Sequence, residues 1–347
     1  MPFTVKDTQC MALALQLSAR ARHTVNANPM VGCVIARGGE IIAKDYHREY
    51  GKSHAEVKAL AHINGKAKGA TLYVTLEPCS HHGKTPPCTD TVIASGVTKV
   101  IIATLDPNPL VSGRGVQLLE NASIEVEVGL LENEAKNLNR GFIKRMQTGL
   151  PFVTSKIAMS LDGKTAMANG ESKWITSEAA RVDVHKLRQD NQAILTGSGT
   201  VLQDNPSLTV RLPNNSVTPH RVVIDSGNQI SDKNLNIFSD DAQTLVINKD
   251  NCALAENGKV DLKAALLKLG EMGINTVLVE AGSGLNGALQ LAGLIDELVI
   301  YTAPVLLGSD ATSMMKLSIE KMSDKIKLKI SDYRQVGVDM RITASFE

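Results

Sequence analysis

The chain of 347 residues is longer than one typical core and reads as two domains of ordinary size. Its 37 Lys and Arg nearly match its 36 Asp and Glu, for a formal net charge of +1, and only 3% of residues are aromatic, so neither a polyanion nor an anionic membrane is expected as a bulk partner. Five cysteines over this length, no signal-like start and no run long enough to span a bilayer predict a soluble, cytoplasmic protein whose close cysteines serve metal or catalysis rather than disulfides.

Over residues 4–22 the apolar Cys10, Leu13 and Leu17 recur at helical spacing, with Asp7 near the front and Arg20 and Arg22 near the end, as a helix dipole prefers. After the turn Asn26-Ala27-Asn28-Pro29, the β-rich runs 30–36 and 40–44 form a hairpin across Gly38-Gly39. A helix over 55–63, a buried strand over 71–76, a helix over 88–95 and strands over 99–104 and 124–128 complete a central sheet with helices on both faces. Residues 132–147 read as one charged amphipathic helix, broken by Thr148-Gly149-Leu150-Pro151, which puts the domains at 1–148 and 149–347. Beyond the break, apolar strands over 152–159, 191–195, 221–225, 243–247, 276–280 and 297–303 alternate with helices over 177–188 and 262–269, a second α/β domain.

The chemistry concentrates in Ser53-His54-Ala55-Glu56, Glu77-Pro78-Cys79 and Pro86-Pro87-Cys88. One histidine and two cysteines can supply the three protein ligands of a catalytic zinc, leaving a fourth position for water, and a glutamate two residues past the histidine is placed to shuttle protons. Cys79 and Cys88 each follow proline at an expected helix start, where the dipole favours a thiolate. The same residues also suit a Ser53/Glu56 capping box and two inert buried thiols. In the second half, Gly282-Ser283-Gly284-Leu285-Asn286-Gly287 follows a strand and opens a helix, so its amides could cradle a pyrophosphate. No acidic residue ends a following strand, and a Rossmann fold is not expected.

His54-Ala55-Glu56 with Pro78-Cys79 and Cys88 resembles the cytidine-deaminase superfamily. Eight residues separate the two cysteines where the generic signature has two, and the string Leu72-Tyr73-Val74-Thr75-Leu76-Glu77-Pro78-Cys79-Ser80-His81-His82-Gly83-Lys84-Thr85-Pro86-Pro87-Cys88 resembles the riboflavin-biosynthesis branch. Ser155-Lys156-Ile157-Ala158-Met159-Ser160-Leu161-Asp162-Gly163-Lys164, Trp174-Ile175-Thr176-Ser177, and Gly199-Thr200 through Asp204-Asn205-Pro206 resemble the reductase fused to that deaminase. The resemblance implies a cytidine-deaminase-like three-layer α/β/α domain followed by a dihydrofolate-reductase-like α/β domain. It also implies a diaminohydroxyphosphoribosylaminopyrimidine deaminase joined to a 5-amino-6-(5-phosphoribosylamino)uracil reductase.

On that resemblance, His54, Cys79 and Cys88 hold zinc, Glu56 is the catalytic acid and base, and Asn28, His47, His81 and Lys84 contact the first substrate. NADPH is expected at Ala158, Trp174, Thr200, Asp204, Ser226 and the loop Gly282, Ser283, Gly284, Leu285, Asn286, Gly287 and Ala288. Ser172, Arg188, Leu208, Arg211 and Glu280 are expected at the second substrate, with Lys156 a further candidate. Guanidinium forks at Arg188 and Arg211 suit a sugar phosphate in a way lysine cannot reproduce. The implied partners are small phosphoribosyl pyrimidines and a second copy of the chain, in a dimer or tetramer. The rivals are a nucleic-acid or nucleoside deaminase with an appended nucleotide-binding domain, and a non-catalytic zinc module on a nucleotide sensor. The first needs a basic track and stacking aromatics that the composition lacks. The second leaves the glutamate beside the ligands without a purpose.

Overall fold

The structure is a computed structural model that describes residues 3–25, 27–80, 86–108, 112–213, 215 and 217–347. The chain divides into two compact units, Met1–Gly149 and Leu150–Glu347. In unit 1, α1 (Val5–Ala19) opens on a reciprocal cap in which the Thr4 hydroxyl accepts from Asp7 N and the Asp7 carboxylate accepts from Thr4 N. Asp7 also accepts the Tyr73 hydroxyl at 2.7 Å, which ties the helix to the sheet beneath it. There follow β1 (Gly32–Arg37), β2 (Glu40–Tyr46), α2 (Ala55–Ala61), β3 (Thr71–Val74), α3 (Cys88–Ala94), β4 (Lys99–Ile102), α4 (Arg114–Asn121) and β5 (Glu125–Val128).

The sheet order is β2-β1-β3-β4-β5, with β1 antiparallel to both neighbours and β3, β4 and β5 parallel. Alternating side chains sort the core into two layers. Cys33, Ile35, Leu72, Val74, Val100 and Ile102 face α2, α3 and α4 through Ala59, Leu60, Val92 and Leu119. Val34, Ala36, Tyr73 and Ile101 face α1 through Met11, Ala14 and Leu17. This is the expected three-layer α/β/α arrangement.

One element departs from expectation. The single helix foreseen over 132–147 is two, α5 (Glu132–Leu138) and α6 (Arg140–Thr148), broken at Asn139 with φ −106° and ψ 20°. Asn139 is drawn out of helical geometry because its side-chain amide bonds both backbone groups of Met30. Gly149, at φ 76°, caps α6 in the left-handed conformation that spares glycine a steric penalty.

Unit 2 runs β6 (Phe152–Ser160), β7 (Lys164–Ala166), α7 (Glu178–Gln189), β8 (Ala193–Gly197), α8 (Ser198–Asp204), β9 (His220–Asp225), β10 (Thr244–Asn248), α9 (Leu262–Glu271), β11 (Thr276–Val279), α10 (Ser283–Leu291), β12 (Glu297–Ala303), β13 (Thr312–Ser313), β14 (Leu328–Val336) and β15 (Asp339–Phe346). Eight strands form one sheet in the order β10-β9-β8-β11-β6-β12-β15-β14, parallel up to β12 and closed by an antiparallel hairpin. α9 and α10 cover one face through Leu266, Leu269 and Leu289. α8 packs on the other through Val201, and α7 through Ala180 and Val184. The hairpin of β14 and β15 and the short helices α4 and α8 were not foreseen from the sequence.

Candidate functional site

The register of the sheet brings the ligand segments together. β3 ends at Val74 beside Ile102 of β4, so the chain leaves the sheet at 75–80 and delivers Cys79 to the start of α3, where Cys88 is the first helical residue. Cys79 itself belongs to no helix or strand, so only Cys88 has the helix-start position expected of both. His54 is the N-cap residue of α2 and makes no side-chain cap bond, which overturns the capping-box reading of Ser53 and Glu56. Its ring turns to the cysteines instead, with Nδ1 3.1 Å from Cys88 Sγ and 3.5 Å from Cys79 Sγ.

The three ligand atoms all lie within 4.8 Å of one another, the cluster that could hold a metal among the described residues. A tetrahedral ion with bonds of 2.0–2.3 Å sets its ligands about 3.5 Å apart, so this cage fits zinc. The Cys88 thiol, hydrogen-bonded to Cys79, holds Cys79 below the usual thiol range, while that bond and burial push Cys88 up. All five cysteines are free thiols.

Glu56, the second residue of α2, is 3% exposed, and its Oε2 is buried without a hydrogen-bond partner. Burial pushes its carboxyl up to about 7. Leaving a carboxylate oxygen unpaired in a core costs too much to be packing alone, so Glu56 is aimed at something the protein must bind.

His47 stands beside the cage, its ring centroid 5.3 Å from that of His54 and edge-on to it. Asn28 Nδ2 donates to His47 Nε2 at 3.1 Å, and His47 Nδ1 meets the Ser53 carbonyl at 3.3 Å, a pairing that suits a neutral ring protonated at Nδ1. Burial lowers the His47 pKa in the same direction. Asn28, His47 and His54 thus form one contiguous group. His81 and Lys84 lie outside the described residues.

One residue of the motif has a role the sequence did not disclose. The buried Glu77 carboxylate accepts backbone N–H groups from Asp106, Gly113, Gly115 and Val116 at 3.1, 3.0, 2.8 and 3.4 Å. It therefore fastens the segment carrying Cys79 to the start of α4. A Cβ on Gly115 would stand 2.4 Å from the Pro78 carbonyl, so the approach needs glycine. The Gly113-Arg114-Gly115 pair was the available signal.

In unit 2 Glu280 and Gly282 follow the carboxyl end of β11, Thr200 that of β8 and Ser226 that of β9, the ends at which open parallel sheets place their ligands. Ser155 of β6, Val279 of β11 and Leu195 of β8 share one register, and Lys156, Glu280 and Thr200 lie just beyond it. Glu280 takes a two-pronged bond from Arg188, Nε to Oε1 at 2.5 Å and Nη2 to Oε2 at 3.0 Å, with Lys156 Nζ at 3.9 Å. Burial alone would raise the Glu280 pKa, but the Arg188 guanidinium holds it down at about 2. Arg188 also donates to the Thr209 carbonyl at 2.9 Å. The Arg211 amide donates to His185 Nδ1 at 3.2 Å, so the loop bearing Leu208 and Arg211 is held against α7 from two points.

The Gly282–Ala288 stretch spans the α10 start, with Gly282 as N-cap. Gly287 is required there, because a Cβ would stand 2.3 Å from the Lys316 carbonyl. The buried Asn286 accepts the Ser155 hydroxyl at 2.8 Å and donates to the Ala281 carbonyl at 2.8 Å, locking the loop to β6. Thr200 Oγ1 lies 4.0 Å from the Cβ position of Gly282. Asp204 pairs with Lys173 at 3.7 Å, next to Trp174, which is 69% exposed with the Arg181 guanidinium 4.6 Å from its ring centroid. Ala158 pairs with Tyr301 of β12, and Ser226 Oγ is occupied by the Val260 N–H at 3.0 Å.

Cage, carboxylate and three-layer unit place the first half among zinc-binding deaminases. The family described as the cytidine and deoxycytidylate deaminase zinc-binding region matches residues 4–104, and the RibD C-terminal domain matches residues 151–342. The chain is 46% identical to riboflavin biosynthesis protein RibD of Escherichia coli (strain K12), over 97% of this chain and 98% of that protein. The structure of Acinetobacter baumannii RibD, form 1, is similar with a TM-score of 0.91 at 40% identity, covering 99% of each chain. That of a diaminohydroxyphosphoribosylaminopyrimidine deaminase/5-amino-6-(5-phosphoribosylamino)uracil reductase from Thermotoga maritima is similar with a TM-score of 0.88 at 36% identity, again covering 99% of each. This chain belongs to the RibD family of riboflavin-biosynthesis enzymes, in which a deaminase domain and a reductase domain share one polypeptide. Among the described residues no helix is long and apolar enough to cross a membrane.

Proposed function

We propose that unit 1 deaminates 2,5-diamino-6-(5-phosphoribosylamino)pyrimidin-4-one by hydrolysis, and that unit 2 reduces the ribosyl group of the resulting 5-amino-6-(5-phosphoribosylamino)uracil to ribityl with NADPH. The observation that carries the first step is the His54, Cys79 and Cys88 cluster beside Glu56, whose buried Oε2 has no partner. Zinc bound by those three side chains supplies Lewis-acid activation of water near neutral pH. Glu56 takes a proton from the water that attacks the amino-bearing ring carbon and gives it to the ring nitrogen, then takes the proton of the hydroxyl so formed and gives it to the amino group, which leaves as ammonia. A group that is base and then acid within one turnover works best close to the operating pH. Asn28 and His47 orient the heterocycle from the side of the cage.

For the second step the nicotinamide supplies the hydride, and the protein's task is orientation. The backbone amides at the α10 start favour a phosphate group, and Thr200 flanks that loop. Because Arg188 is committed to Glu280, the exposed Arg211 is the guanidinium that meets the substrate phosphate. Lys156 and Glu280 bracket the opened sugar.

The test is to give purified protein the phosphoribosylated diaminopyrimidine with NADPH and follow ammonia and nicotinamide absorbance together. Ammonia must appear first, with NADPH oxidation following it. NADPH oxidation without ammonia, or ammonia from cytidine or single-stranded DNA instead, would overturn the assignment.

A further inference from the structure

Residues 27–31, which carry Asn28, belong to no helix or strand, yet they are gripped from two points by the helices that close unit 1. Asn139 is 3% exposed at the break between α5 and α6. Its amide oxygen accepts the Met30 N–H at 2.8 Å and its amide nitrogen donates to the Met30 carbonyl at 2.9 Å, so one side chain satisfies both backbone groups of one residue. Six residues on, Arg145 Nη2 donates to the Ala27 carbonyl at 2.9 Å. Asn28 sits between these anchors. On its far side, the His47 N–H bonds the Val31 carbonyl at 2.9 Å, and the Asn28 amide reaches the His47 ring.

A helix running unbroken through 139 would carry that side chain along with its own turns. Breaking the helix there aims the amide at Met30 instead, where a loop would otherwise have to satisfy its polar groups with water. A planar amide that bonds both the N–H and the C=O of one residue fixes its peptide planes in angle as well as position. Asn28, two residues away, inherits that placement.

We propose that Asn139 is a positioning residue for deamination: acting through the Met30 backbone, it holds Asn28 against His47 and so sets the orientation of the bound pyrimidine. This rests on the reading of Asn28 as a substrate contact. The experiment measures deaminase KM and kcat, zinc per chain and reductase kinetics for Asn139→Ala, Asn28→Ala and the double variant. Asn139→Ala is expected to raise the deaminase KM about tenfold, which corresponds to about 1.4 kcal/mol. Zinc content and reductase kinetics stay as in the parent chain.

The double variant is expected to be no worse than Asn28→Ala, because both changes act at one contact. Asn139→Asp keeps the acceptor for the Met30 N–H and loses the donor, so it falls between parent and Asn139→Ala. Should Asn139→Ala not fold, Asn139→Asp and Arg145→Gln carry the same prediction at smaller amplitude. A lowered Tm with unchanged KM would make Asn139 a structural staple and overturn the proposal, as would effects that multiply in the double variant. Asn28→Ala without effect on KM rejects the substrate contact and the proposal with it. Asn28→Ala with a raised KM beside a silent Asn139→Ala rejects the positioning alone.

Discussion

In unit 1 the chemistry gathers on an imidazole, two sulfurs and a carboxylate whose Oε2 meets no partner, whereas in unit 2 the buried Glu280 carboxylate is already held by Arg188 and approached by Lys156. The first arrangement is incomplete without an ion and a substrate. The second already has its carboxylate paired, with one cation in excess, so its substrate has to fit among bonds already made. Loss of a side chain should therefore remove chemistry in unit 1 and stability in unit 2.

The most drastic way to break the contrast is Cys88→Ala. Zinc per chain, read by elemental analysis, should fall to background and ammonia release should stop, while the reductase turns over its own substrate at the parent rate; a joint loss would refute two separate sites. Next in size is Arg188→Met, which strips the buried Glu280 of its main partner. It should destabilise unit 2 by about 3 kcal/mol, read as a lowered second transition in calorimetry with the zinc-dependent transition unmoved.

Acid sharpens the same point. The folded Glu280 carboxyl lies at about 2, below its ordinary 4.5, so its contribution to stability is complete above about 4.5 and fades as pH falls from there towards 2. Melting of unit 2 followed down that window should decline, and Arg188→Met should flatten the decline; equal slopes in both proteins would contradict the pairing. The smallest effect belongs to the exposed Arg211. Arg211→Ala should raise the reductase KM about tenfold, roughly the worth of one charge-assisted hydrogen bond, with deamination unchanged.

The two regions also differ in how far they could be read from the chain. His54, Glu56, Cys79 and Cys88 were legible because a soft ion demands particular donors, and the proline-cysteine and histidine-x-glutamate spacings carry those donors in short strings. Glu77 and Asn139 escaped notice because their partners are backbone groups of segments 29 to 109 residues away, which leave no mark on side-chain pattern. The interior strands of both sheets were plain as apolar runs. β14 was not, since it is exposed along most of its length and a bulge between Ile330 and Asp332 breaks its alternation. α8 was hidden for a different reason, being a seven-residue helix with one buried residue, Val201.

What the account depends on most is that Glu56 moves protons beside a zinc it does not bind. Glu56→Gln, isosteric and unable to take a proton, isolates that claim when zinc content, ammonia release and NADPH oxidation on the already deaminated substrate are measured in one preparation. The expected outcome is zinc retained, ammonia release lower by about 10²-fold or more, and unaltered NADPH oxidation. Ammonia release at the parent rate, or loss of the zinc along with it, would contradict the role given to this carboxylate.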